Sequence, residues 1–174
     1  MQIKSKETVE QMLASMSSEL LTLLGHTSLE QLCMVGIQRG GVDIAEHLAE
    51  CLNLKQAIGT LNIHFYRDDF SRIGLHPEVG SSSLPWDIED RTVILVDDVL
   101  YSGRTVRAAI NTLFDYGRPA RIILVVLVER DGHELPIRAD IKGIQLSLSK
   151  NQQVKLDPQS RALLLVESAP RVKP

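Results

Sequence analysis

Cysteine is scarce: Cys33 and Cys51 are the two in 174 residues, both inside apolar patterns without metal-ligand spacing. That excludes a disulfide framework, and a reduced, cytoplasmic protein is the expectation. No run of about 18 apolar residues occurs, so no membrane-spanning helix is encoded. Residues 1–6 lead into a polar amphipathic run rather than an apolar signal core. A positive excess is missing too: the net charge is −3, which weighs against a dedicated nucleic-acid-binding domain. The five histidines, at 26, 47, 64, 76 and 133, have neither ligand nor triad spacing. No histidine metal centre is therefore expected.

What is present is an ordinary globular balance, 44% hydrophobic and 24% charged. The length suits one domain spanning residues 1–174, able to bury roughly 70% of its unfolded surface. Charge is uneven along it. Residues 1–53 carry 3 basic and 7 acidic side chains, whereas residues 92–174 carry 12 and 9. An anionic ligand is therefore sought in the later half.

Hydrophobic spacing over 7–24 (Val9, Met12, Leu13, Met16, Leu20, Leu21) predicts an amphipathic helix. The apolar run 32–37, the turn Gln38-Arg39-Gly40-Gly41 and the period Val42, Ile44, Ala45, Leu48, Ala49, Leu52 read as strand, glycine turn, helix. Residues 58–65 suggest a further strand. Residues 67–91 have no strong period and hold Gly74, Pro77, Gly80, three serines and Pro85. A stretch so long is usually a lid or binding loop. Trp86 reads as a packing anchor at its end. The β-branched run 92–96 is a buried central strand that ends in Asp97-Asp98, and 121–128 is another. Weaker strands are expected at about 141–146 and 162–166. Strands alternating with helices imply an α/β fold around a mostly parallel sheet.

The segment VILVDDVLYSGRT, from Val93 to Thr105, carries the chemistry. Ligands of open α/β sheets bind beyond the carboxyl ends of the strands. Two adjacent carboxylates there are costly to bury unpaired, so they are expected to face solvent, hydroxyls or a metal. A few residues on, Ser102-Gly103-Arg104-Thr105 opens a helix whose amides, glycine and hydroxyls form a phosphate cradle. Taken singly, the acids read as the start of a loop and Ser102 as a helix cap. Together they suit a sugar diol beside a phosphate, as in a ribose 5-phosphate. A receiver domain also has an acidic pair, but after its first strand, and only 76 residues follow Asp98.

VILVDDVLYSGRT resembles the phosphoribosyl-pyrophosphate (PRPP) signature of the type I phosphoribosyltransferases. With GIQRGGVDIAEHLAECL, NIHFYRDDFS and VERDGHELPIRADIKG, residues 5–168 resemble the family of pyrimidine-operon attenuation regulators that are also uracil phosphoribosyltransferases. The resemblance implies a type I phosphoribosyltransferase-like fold with a mobile loop at about 67–85 and a hood or base-binding region at about 129–148. It implies that Asp97 and Asp98 hold the ribose hydroxyls and, indirectly, Mg²⁺. Tyr101, Ser102, Gly103, Arg104 and Thr105 would hold the 5′-phosphate. Tyr101 stands where purine-specific relatives often have an acid, which favours a pyrimidine. Gln38, Arg39 and Gly40 match the pyrophosphate turn, where many members have Lys-Thr-Arg; Arg39 also reads as a solvated surface arginine. Arg67 is the loop cation for pyrophosphate, and can equally pair with its acidic neighbours. Residues 129–137 would wall the uracil, with Arg130 the named contact. Uracil, PRPP, UMP and pyrophosphate are the implied small molecules, and a homodimer or higher homo-oligomer the implied assembly. Leader RNA is the implied macromolecular partner, with Arg104, Arg107, Arg118, Arg121, Lys142, Lys150 and Lys155 as candidate cations. A non-catalytic, nucleotide-sensing RNA-binding regulator is the alternative to the enzyme.

Overall fold

The computed structural model describes residues 1–38, 40–63, 81–149 and 151–167. Arg39, Arg67, His64, His76 and Lys150 lie outside the described residues, as does the 67–80 part of the expected mobile loop.

The chain runs β1 (Gln2–Lys4), α1 (Lys6–Leu24), a 3-10 turn (Leu29–Gln31), β2 (Leu32–Ile37), α2 (Gly40–Cys51), β3 (Gly59–Leu61) and β4 (Thr92–Leu100). It continues through α3 (Arg104–Tyr116), β5 (Arg121–Arg130), β6 (Ile141–Leu146), β7 (Gln152–Leu156) and β8 (Leu163–Glu167). Five strands form one parallel sheet in the order β3-β2-β4-β5-β6. Every residue of β2 is buried, as is each of the last eight of β5, which is why these strands are continuous apolar runs rather than alternating ones.

The pleat sorts that apolar content between two cores. Ile94, Val96, Ile123 and Val125 meet α1 and α2 on one face. Val93, Leu95, Leu124 and Val126 meet Val106, Ala109 and Leu113 of α3 on the other. Helix α1 begins where the Ser5 hydroxyl accepts from the Thr8 amide at 3.3 Å, and it buries Val9, Leu13, Met16, Leu20 and Leu24 at helical spacing.

Two expectations are corrected. The strand does not stop at Asp97-Asp98: β4 runs on to Leu100, because Asp97, Val99 and Leu100 keep pairing with Val126, Val128 and Glu129 of β5. The strand expected at 58–65 is the short β3, with Asn62 and Ile63 beyond it and 64–65 outside the described residues. At the end of the expected mobile loop, Thr60 and Ser83 exchange two backbone hydrogen bonds of 2.8 Å. Beside the main sheet a separate antiparallel sheet has the order β1-β8-β7; in it Gln2 pairs with Leu164 and the Met1 amine donates to the Leu165 carbonyl at 2.9 Å. Trp86 is the anchor expected of it, donating from Nε1 to the Ala57 carbonyl at 2.8 Å.

Candidate functional site

β4 carries the acid pair past the point where its other neighbour ends. The last β2–β4 pair is Gly36 with Val96, so Asp97 and Asp98 are laddered on the β5 side alone. On the open side stands the glycine turn that begins α2. A methyl group on Gly40 would lie 2.5 Å from Asp98 Oδ2, and one on Gly41 would collide with the Val96 carbonyl and the Asp97 backbone. These glycines are therefore needed for close approach, which brings the α2 N-terminus against the carboxylates.

The two acids are not equivalent. Asp97 is 2% exposed and its Oδ1 accepts from the Asp98 amide at 3.0 Å. Asp98 is half-buried, with Oδ1 accepting from the Val99 amide at 2.9 Å. The pair expected to face solvent, hydroxyls or a metal thus has two settings: Asp98 is half-buried, whereas the continuing strand and the packed Gly41 enclose Asp97.

The cradle follows directly. Gly103 caps α3 at φ +90°, a left-handed conformation that favours glycine, and the Ser102 hydroxyl accepts from the Arg104 amide at 3.3 Å. The loop is backed by residues 134–137. The Ser102 carbonyl accepts from the Glu134 and Leu135 amides at 3.0 and 3.1 Å, and Arg104 Nε pairs with Glu134 at 2.7 Å. Thr105 is half-buried in the first turn of α3. Tyr101, 39% exposed, lies with its ring against Gly132, whose φ of +111° leaves no room for a side chain.

Arg130 reaches this ring from below. Its guanidinium carbon lies 4.0 Å from the Tyr101 ring centroid, a cation–π contact. It is 4% exposed, and donates from Nη1 to the Gln152 carbonyl at 2.7 Å and from Nη2 to the Ser149 carbonyl at 3.2 Å, leaving Nε buried without a partner among the described residues. These bonds tie the end of β5 to the β6–β7 connection. Arg130 thus supports Tyr101.

Gln38 is half-buried, its amide donating to the Leu61 carbonyl at 2.8 Å. With Gly40 it stands at the same strand end as the acid pair; Arg39 and Arg67 remain outside the described residues.

Sequence reading placed Glu129 at the start of the uracil wall but missed its charged partners. It is 1% exposed and accepts from Lys142 Nζ at 2.8 Å, with His133 Nε2 at 3.2 Å and Arg138 Nε at 3.9 Å. A glutamate closing an apolar strand carries no signal of such partners. Only the four-residue spacing to His133 offered a hint. Nearby, the Ser147 hydroxyl donates to Asp131 at 2.5 Å and holds that carboxyl below its ordinary range.

Among the described residues no three His, Cys, Asp or Glu side chains gather as a metal cage. Two adjacent carboxylates fit Mg²⁺ carried by a polyphosphate ligand, since that ion keeps waters and phosphate oxygens and needs one or two carboxylates. No helix among the described residues is long and apolar enough to cross a membrane.

Residues 2–159 match the phosphoribosyl transferase domain family. The chain is 58% identical over 125 residues to the bifunctional protein PyrR of Nitrosococcus oceani, covering 71% of each chain. It is 47% identical over 156 residues to the bifunctional protein PyrR of Pseudomonas syringae pv. tomato, covering 89% of this chain and 92% of that one. In fold it is similar to the hypoxanthine phosphoribosyltransferase of Trypanosoma cruzi with IMP, at TM-score 0.74 and 18% identity over 99% of this chain and 95% of that one. The Leishmania tarentolae HGPRT-ase with GMP aligns at TM-score 0.73 and 15% identity over 95% of each chain. By that family match and those identities, the chain is a member of the PyrR family of type I phosphoribosyltransferases.

Proposed function

We propose that the chain transfers the phosphoribosyl group of PRPP to uracil, giving UMP and pyrophosphate. The observation that carries this reading is the half-buried Asp98 at the open edge of β4, four residues before Ser102 of a glycine-capped helix N-terminus. A carboxylate suits a sugar diol and the helix amides suit a phosphate.

As the C1–pyrophosphate bond breaks, positive charge grows on the ribose and negative charge on the leaving group. Asp97 and Asp98 orient the ribose hydroxyls and place negative charge near the developing cation. Tyr101, Ser102, Gly103, Arg104 and Thr105 fix the 5′-phosphate, so the reaction becomes one of positioning. Gln38, Arg39 and Gly40 take the pyrophosphate, assisted by Arg67. Asp97 and Asp98 would hold Mg²⁺ through ribose hydroxyls or water, and that ion would supply charge neutralisation at the leaving group. Uracil lies against residues 129–137, with Arg130 at that wall. The test is pyrophosphate release from PRPP and Mg²⁺ with uracil, orotate, hypoxanthine or adenine. Uracil alone turns over, and Asp98→Asn slows turnover by about 10²-fold while the melting profile is kept. An unchanged rate in that variant refutes the mechanism.

The relatives are named bifunctional, which supports a second activity, and we propose that it is binding of pyrimidine-operon leader RNA by a homodimer or higher homo-oligomer in the cytoplasm. Of the candidate cations, Arg104 and Lys142 pair with Glu134 and Glu129, while Arg107, Arg118, Arg121 and Lys155 are exposed. Leader-RNA affinity that falls steeply with salt supports this activity; no binding at low salt refutes it. Light scattering of the purified chain tests the oligomer.

A further inference from the structure

Glu129 begins the segment proposed to wall the uracil, and among the described residues its carboxylate is the most heavily paired near the site. It sits in β5 between Leu100 of β4 and Gln145 of β6, and a buried charge at such a place is costly unless paired. Its partners come from two places. Lys142 belongs to β6 and also donates to Gln145 Oε1 at 3.2 Å. His133 and Arg138 belong to the segment that runs along the cradle.

The imidazole is the informative partner. Its Nε2 faces Glu129 at 3.2 Å, while Nδ1 is buried without a hydrogen-bond partner among the described residues. The Glu129 carboxylate is thus the polar group in direct contact with the His133 ring among the described residues. The Arg138 contact, at 3.9 Å and with the arginine side chain 61% exposed, adds little.

Residues 133–138 are therefore anchored twice. One anchor is the Ser102 carbonyl, which belongs to the phosphate loop and holds the Glu134 and Leu135 amides. The other is the carboxylate of Glu129, which belongs to the central sheet and holds His133. Gly132, next to His133, is the residue packed on the Tyr101 ring. Loss of the first anchor would disturb the phosphate loop itself. Loss of the second would leave that loop on β4 and α3 and release the segment beside Tyr101.

We propose that Glu129, acting through His133, is a positioning residue that sets the base-side wall against Tyr101 and so governs affinity for the base rather than for the ribose phosphate. This rests on the transferase reading above. Calorimetric titration of the wild type, Glu129→Gln and His133→Ala with UMP and with ribose 5-phosphate separates the two contributions. His133→Ala leaves Glu129 paired with Lys142, and so decides the matter if Glu129→Gln does not fold. The Kd for UMP rises about 10-fold in each variant, equivalent to about 1.4 kcal/mol, while that for ribose 5-phosphate changes less than about twofold. In turnover the KM for uracil rises and the KM for PRPP and kcat hold, and Glu129→Asp recovers part of the loss. Parallel weakening of both ligands, or no change in either, in a variant with a cooperative melt overturns the proposal. A wild-type chain that binds ribose 5-phosphate but not UMP instead refutes the uracil reading. The titration is then made with the monophosphate of whichever base the chain turns over, with the same criteria.

Discussion

The contact between Gly40 and Asp98 allows a substitution in which activity and stability separate. Gly40 opens α2, where alanine would ordinarily be favoured over glycine by about 0.5–1 kcal/mol. Its new methyl group would stand 2.5 Å from Asp98 Oδ2, 2.6 Å from Cγ and 2.8 Å from Cβ. Unstrained contact needs about 3.5 Å, so the Asp98 side chain must withdraw by about 1 Å. Rotation can move the carboxylate, the first turn of α2 must shift to clear Cβ, and the propensity gain offsets part of the cost. Gly40→Ala is expected to melt within about 4 °C of wild type. A 1 Å misplacement of a reacting group costs about 10²-fold in rate, and that is the expected loss in pyrophosphate release from PRPP. Gly41→Ala is the control. Its methyl group meets the Val96 carbonyl and Asp97 Cα, backbone that cannot turn away, and stability should fall by about 1–3 kcal/mol. Wild-type turnover by Gly40→Ala, or a loss matched by its unfolded fraction, refutes the reasoning.

Arg130→Met removes two charged hydrogen bonds to carbonyls and the contact with Tyr101; a loss of about 3 kcal/mol is expected, read from urea unfolding. The Asp131 carboxyl is lowered chiefly by the Ser147 hydroxyl bond, so its contribution is present above the ordinary carboxylate range and is lost as pH falls through the depressed value. An NMR titration of Ser147→Ala should find the Asp131 midpoint moved upward. Burial pushes the Cys33 thiol up and keeps it protonated, whereas Cys51 is exposed, so a thiol reagent should modify one cysteine in the native chain and two after denaturation.

The parts of the fold legible in the sequence are those whose environment repeats along the chain. β2, the first half of β4 and β5 are buried on both faces and therefore appear as unbroken apolar runs. The turn into α2 and the cradle before α3 are legible because glycine marks close approach or a left-handed residue. β1 and β7 were not legible. They are short, belong to an antiparallel layer outside the main sheet, and are specified by partners such as Leu164 opposite Gln2. The continuation of β4 through two aspartates is likewise a tertiary effect, since the ladder to β5 outweighs the poor strand preference of aspartate. The pairing of Glu129 was illegible for the same reason: its partners come from positions 133, 138 and 142, and only folding brings them to one carboxylate.

Because Asp97 and Asp98 sit within a hydrogen-bonded strand, their distance from the cradle is counted in residues and not left to loop conformation. One residue inserted between Val96 and Leu100 would reverse which face each following side chain occupies and lengthen the span by about 3.3 Å. Neither change can be absorbed where Leu100 and Val99 are fixed opposite Glu129 and Val128. Divergence in this stretch is thus confined to exchanges of side chain at constant length, while the connections on either side of the sheet are free to grow or shrink.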